Sequence, residues 1–217
     1  MPDFLLYISN TMQNLATRKN YTLEEYAELE KSSEEKFEFY DGHVWCMAGA
    51  SKTHERIVGN TITALNNALR GRGCGVYSSN LKVKVPAYPP YRYPDVTALC
   101  GEEIFENLLG LDVLVNPSLI VEVLSDSTKS FDIGDKFTYY KSIESFTEYL
   151  LIDQDKPHVV LYTKQSADAW LHREFNSLDD RFYIPSLDCE IAAAGIYENV
   201  EFKPVEPPKY PFETDFR

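Results

Sequence analysis

The strongest restriction on the fold lies between Asn116 and Asp153, NPSLIVEVLSDSTKSFDIGDKFTYYKSIESFTEYLLID. The run Leu119-Ile120-Val121-Glu122-Val123-Leu124 reads as a buried strand, because aliphatic and β-branched residues fill it and turn-formers bound it. A polar turn, Ser125 to Thr128, follows. Gly134 and Asp135 then lead into Lys136 at the start of an amphipathic helix, whose apolar side carries Phe137, Tyr140 and Ile143. A second apolar strand, Tyr149-Leu150-Leu151-Ile152, closes the unit. Strand, crossover helix, strand is the pattern of a parallel pair, which requires a connection of this kind and a sheet covered on its faces. One residue is out of place: Glu122, an acid inside the apolar run. An ionised carboxylate costs several kcal/mol to bury without a partner, so a cation, a metal ion or a hydrogen-bond donor is expected opposite it.

The chain of 217 residues suits one domain with a full core. Its net charge is −13, which argues against a passive nucleic-acid coat but not against a metal-dependent enzyme, whose local field bound cations can reverse. The four cysteines, Cys46, Cys74, Cys100 and Cys189, show no C-x-x-C spacing. They are expected to be small buried residues in a reducing cytosol. No apolar run approaches the roughly 18 residues of a membrane span, and cytoplasm is the default location.

Taken in order, residues 1–20 read as an N-terminal extension, 21–202 as a single domain and 203–217 as a C-terminal tail. Thr22 and Glu25 form the sequence of a capping box for a helix ending near Glu30. Lys36 to Met47 alternates about Asp41-Gly42 and reads as a hairpin, with Glu38 on its polar, solvated face. A small-residue loop leads to a helix from Glu55 to about Leu69, capped by Thr53 or Ser51, with His54 at its start. Lys82 and Lys84 share one face of an alternating strand and are expected at a solvated edge. Arg92 to Leu99 reads as a strand entered through Pro94, with Asp95 at its start. Glu102 to Asp112 is expected to form a short helix and a loop. His158 to Tyr162 and Ala169 to Phe175 read as an antiparallel pair, and the stretch from Cys189 to Phe202 as a partly apolar tail packed on the domain.

Pro94-Asp95, then Glu122 in an apolar strand, then a lysine, resembles the PD-(D/E)XK nuclease superfamily. The likeness is closer to the restriction-endonuclease-like branch abundant in cyanobacteria, in which the motif lysine moves from the strand to the following helix. Here Leu124 holds the usual lysine position, and Lys136 comes 14 residues after Glu122. The resemblance implies an α/β, restriction-endonuclease-like fold with a central mixed β-sheet flanked by helices. It implies Asp95 and Glu122 as ligands of Mg²⁺ or Mn²⁺, and Lys136 as the group that positions water or stabilises the developing charge. It adds Glu38, just before the Asp-Gly turn, and His54 as accessory site residues. DNA is the implied substrate, and cutting two strands implies a homodimer. A catalytically silent binding module of the same fold, or a phosphoesterase acting on another substrate, fits the same residues. So does a purely structural Glu122–Lys136 ion pair.

Overall fold

The computed structural model describes residues 20–40, 42–47, 49–87 and 91–202. The expected N-terminal extension up to residue 19, the C-terminal tail and Asp41 of the hairpin turn lie outside them. The central element is a six-stranded mixed sheet made of β3 (Cys74–Ser78), β6 (Val96–Cys100), β9 (Leu119–Leu124), β10 (Glu148–Asp153), β11 (Val159–Lys164) and β12 (Trp170–Phe175). Its order is β12-β11-β10-β9-β6-β3. β9 and β10 are its parallel pair, with Glu122 opposite Leu151, and both are buried along their whole length. That burial on two faces is what a near-continuous apolar run specifies.

Side chains of β9 alternate between two cores. Leu119, Val121 and Val123 join Leu150, Ile152 and Leu161 under α2 (Lys52–Leu69), whose stripe of Ile57, Val58, Leu65 and Leu69 covers that face. The C-terminal stretch, β13 (Arg181–Ile184), β14 (Cys189–Ala192) and α5 (Ala193–Ile196), completes this layer through Phe182, Ile191 and Ile196. Ile120 and Leu124 face the other core, among Phe137, Tyr140, Ile143, Phe146 and Tyr149. Glu122 has the same parity, so the sheet pleat directs it at the crossover helix. That helix begins earlier than its apolar pattern predicts. α3 (Lys129–Phe131), a π-helical turn (Asp132–Lys136) and α4 (Phe137–Tyr140) run on without a break.

The second sheet is not apparent in the sequence. It contains β1 (Phe37–Tyr40), β2 (His43–Cys46), β4 (Lys82–Lys84), β5 (Tyr91–Arg92), β7 (Phe105–Leu108) and β8 (Leu111–Leu114), in the order β2-β1-β5-β4-β8-β7. Tyr26, Phe37, Phe39, Val44, Tyr91 and Val113 pack together between it and α1 (Leu23–Ser32). The capping box on Thr22 and Glu25 forms as expected, and Ser51 rather than Thr53 caps α2. The hairpin predicted about Asp41-Gly42 also forms, with Phe39 opposite Val44 and Gly42 at positive φ.

Four expectations are corrected. The predicted Arg92–Leu99 strand is two strands in two sheets. β5 ends at Arg92, and Tyr93-Pro94-Asp95 carries the chain across to β6, as a proline without an N–H ends a ladder. Glu102 to Asp112 holds no helix. β7 and β8 form a hairpin there, turning at Leu109 and Gly110, both at positive φ. Lys82 is not at a solvated edge: it is 1% exposed, with its ammonium 2.8 Å from Glu30 and over the rings of Tyr26 and Tyr93. Cys74 and Cys100, directly opposed on β3 and β6, form a disulfide, while Cys46 is exposed and Cys189 buried and free. Cross-strand adjacency brought those two thiols together, which no sequence spacing announces. Among the described residues no helix is long and apolar enough to cross a membrane.

Candidate active site

The site lies where β6 begins, at the centre of β9 and beside the π-helical turn. Glu122 is 2% exposed. Its Oε1 lies 2.8 Å from the Lys136 ammonium and accepts a hydrogen bond of 2.8 Å from the Tyr140 hydroxyl. Lys136 also donates to Asp132 Oδ1 at 3.0 Å, so one buried cation faces two buried acids. The main chain of Asp132 is held in turn by the Tyr149 hydroxyl, which donates to its carbonyl. The π-helical turn places Asp132 and Lys136 together over the sheet, and such turns occur frequently at functional sites.

Asp95 stands at the entry to β6. Its Oδ2 accepts from the backbone N–H of Val123 at 2.7 Å and lies 3.2 Å from His54 Nε2. Ser51 caps α2 by accepting from the His54 N–H, which fixes the first turn and brings the imidazole to Asp95. Glu38, on β1, pairs with the buried guanidinium of Arg92 on β5. Glu122 with Lys136, and Asp95 with His54, are thus in direct contact, and the Val123 amide joins the two pairs. Glu38 touches neither pair, but its charge reaches Lys136 and Tyr140.

The electrostatics follow from burial and crowding. Burial pushes the Glu122 carboxyl up to about 8; Lys136 opposes this, and the neighbouring Asp95 and Asp132 charges add to it. For Lys136, burial disfavours the charge, but Glu122 and Asp132 outweigh it and raise its pKa well above the ordinary lysine value. Burial likewise opposes charge on His54, and Asp95 reverses that, with Glu55 and Glu122, to a net upward shift. Tyr140 and Tyr149 are pushed far up by burial and by Glu122, and stay neutral donors.

Asp132, Arg92, Tyr140 and Tyr149 belong to this cluster and were not picked out as site residues. Asp132 left a usable signal, its i, i+4 spacing to Lys136. The two tyrosines sit in apolar patterns, and only the rule that a buried phenol finds a partner points to them.

The amino-acid sequence from residue 23 to residue 194 matches the model of the Uma2 family, described as "Putative restriction endonuclease". The chain belongs to this family. It is 32% identical to the uncharacterized protein slr1290 of Synechocystis over 82% of this chain and 92% of that one. It is also 37% identical to the uncharacterized protein sll1609 of the same organism, over 75% and 92%. A crystal structure described as "a putative nuclease belonging to DUF820", from Anabaena variabilis, superposes with a TM-score of 0.65, covering 82% of this chain and 97% of that one at 17% identity. The Uma2 chain therefore has the mixed α/β fold expected of it, within a nuclease family.

The donor set around Asp95 and Glu122 bears on whether a divalent metal fits. Among the described residues no group of three or more His, Cys, Asp or Glu stands ready to hold an ion. Asp95 and Glu122 each use one oxygen on the protein, Oδ2 and Oε1, and the second oxygen of each makes no hydrogen bond to a described residue. Two hard oxygen donors suit Mg²⁺, which keeps several waters and commonly takes one or two carboxylates together with substrate phosphate.

Proposed function

We propose that this Uma2 protein is a metal-dependent DNA endonuclease, with Asp95 and Glu122 holding Mg²⁺ or Mn²⁺ and Lys136 acting beside them. The observation that carries this reading is the buried Lys136 ammonium set between Glu122 and Asp132, with Asp95 bound to the adjacent backbone at Val123. A bound Mg²⁺ or Mn²⁺ supplies Lewis-acid activation of water and neutralises charge at the scissile phosphate. The protein contributes positioning. Tyr140 and Lys136 hold one oxygen of Glu122, and the Val123 amide and His54 hold one oxygen of Asp95, leaving the second oxygens for an ion. Lys136, kept charged by two acids, orients the attacking water or stabilises the pentavalent oxyanion. Glu38 acts through Arg92 and its field on Lys136 rather than as a ligand. Cutting both strands of a duplex is assigned to a homodimer with one site per subunit.

The test is nicking and linearisation of supercoiled plasmid by purified protein with Mg²⁺, Mn²⁺ or EDTA. Cleavage that needs metal and vanishes in Glu122→Gln, while that variant stays folded, supports the reading. A folded protein inactive under every metal condition overturns it in favour of a silent binding module. Sedimentation showing only monomer at micromolar concentration overturns the dimer.

A further inference from the structure

Between the β1–β2 hairpin and the crossover helix lies a cavity of about 400 Å³, lined by Glu38, Trp45, Arg92, Phe131, Asp135 and Tyr139. The hydrolytic chemistry proposed above uses none of its three aromatic rings. Arg92, at its wall, is 4% exposed. One amino group of Arg92 pairs with Glu38, and the guanidinium lies 5.1 Å from the Phe131 ring centroid and 6.0 Å from that of Tyr139. Its Nε–H is buried with no hydrogen-bond partner among the described residues. The cavity adjoins the proposed catalytic centre: Asp135 precedes Lys136 in the chain, and the charge of Glu38 is felt at Lys136.

We infer that this cavity receives one unstacked nucleobase from the DNA strand being cut, with the aromatic rings against its face and the Arg92 guanidinium at the wall. The volume is near the lower end of small-ligand pockets, roughly 300–1,000 Å³, which suits a single nucleotide and excludes a duplex segment. Base–aromatic stacking tolerates any sequence, because every base has a π-face. It also provides grip that does not depend on positive charge, which matters for a chain of net charge −13 with no surplus of cations to hold duplex phosphates. A base in a duplex must first leave its stack, whereas a base in a single strand or a mismatch does so at less cost. The favoured substrate is therefore DNA carrying an unpaired base. This inference rests on the nuclease reading for its catalytic partner, but binding tests it separately from cleavage.

The experiment measures fluorescence anisotropy of a labelled 12-mer DNA, single-stranded and as its duplex, in EDTA so that no cleavage intervenes. The same oligonucleotides carry 2-aminopurine to report stacking. The wild type is expected to bind the single strand at least 10-fold more tightly than the duplex at equal salt. Trp45→Ala and Phe131→Ala are expected to weaken single-strand binding 5- to 10-fold and to abolish the 2-aminopurine change, with unaltered thermal melts. Trp45→Phe, which keeps a stacking face, is expected to restore most of the affinity and guards against a folding artefact. Equal affinity for duplex and single strand, or alanine variants within 2-fold of wild type, would overturn the pocket. If metal-dependent plasmid nicking persists in that case, the nuclease reading stands without it. If the single-strand preference and its loss in both variants are found in a protein that cleaves nothing, the pocket stands and the nuclease reading fails.

Discussion

Glu122 and Lys136 are in direct buried contact, and the same pair occupies the proposed catalytic positions, so the two roles must be separated at the residue. Lys136→Ala leaves Glu122 and Asp132 facing each other in a dry site and is expected to cost about 3–5 kcal/mol in urea melts. Glu122→Gln keeps the Tyr140 hydrogen bond and leaves Asp132 to pair with Lys136. That variant is expected to stay within about 1 kcal/mol of wild type while losing metal-dependent cleavage. Comparable unfolding of both variants, with activity following the folded fraction, would reduce the pair to structure. The same carboxyl predicts a pH dependence. In the metal-free native state Glu122 keeps its proton up to about 8, whereas in the unfolded chain it releases it near 4.5. Across that window the native state binds more protons, so this group's contribution to stability falls as pH rises, by at most about 1.4 kcal/mol per pH unit. His54, also shifted upward, acts in the same direction: its contribution is present below its unfolded value and lost as pH rises through its folded one. Urea melts of wild type and Glu122→Gln at several pH values check this, since the variant should lack the Glu122 part of the slope. An equal slope in both would refute the assignment.

At the scale of elements, the capped start of α2 and the buried end of α1 hold the site in place. Ser51 caps the turn that presents His54 to Asp95. Ser51→Ala is expected to cost about 1 kcal/mol and to loosen His54, detectable as a His54 titration by NMR moving toward the ordinary histidine value. Lys82 ties β4 to Glu30 on α1, and the Tyr93 hydroxyl donates to the same carboxylate at 2.6 Å. Burial lowers the pKa of Lys82 and Glu30 holds it back up, so removing either partner strands a charge. Lys82→Ala is expected to destabilise by about 3–5 kcal/mol, and Glu30→Gln with Lys82→Met to recover most of that loss, measured by denaturant melts. The alternation of Lys82 and Lys84 was legible, but its face was not. Lys84 does reach a partly exposed partner, Glu106, while Lys82 points inward only because α1 folds over that side.

For the whole molecule, β3 and β6 are joined covalently as well as by hydrogen bonds. The Cys74–Cys100 bond spans a sequence separation of 26, and a closed loop of that size contributes about 3 kcal/mol through the entropy of the unfolded chain. Thermal melts with and without dithiothreitol are expected to differ accordingly, and Cys74→Ser should melt like the reduced protein under both conditions. Four free thiols in the denatured, unreduced protein would refute the bond. Because Asp95 leads directly into β6, loosening that strand is also expected to lower plasmid cleavage before global unfolding.

What the amino-acid sequence determined by itself is local and periodic. Apolar runs bounded by turn residues marked β9 and β10, the 3.6-residue stripe marked α2, the capping box marked α1, and an acid inside a buried strand marked Glu122 as needing a partner. These signals survive because each depends on neighbours within a few residues. Only the tertiary structure decided the remainder. It divided the Asp95 stretch between two sheets, buried Lys82, paired Cys74 with Cys100 and Arg92 with Glu38, and brought Asp132 and Tyr140 to Glu122 and Lys136. Each of those depends on which distant segment packs opposite, and burial of a charge or pairing of two strands is an energy of that contact rather than of the residue.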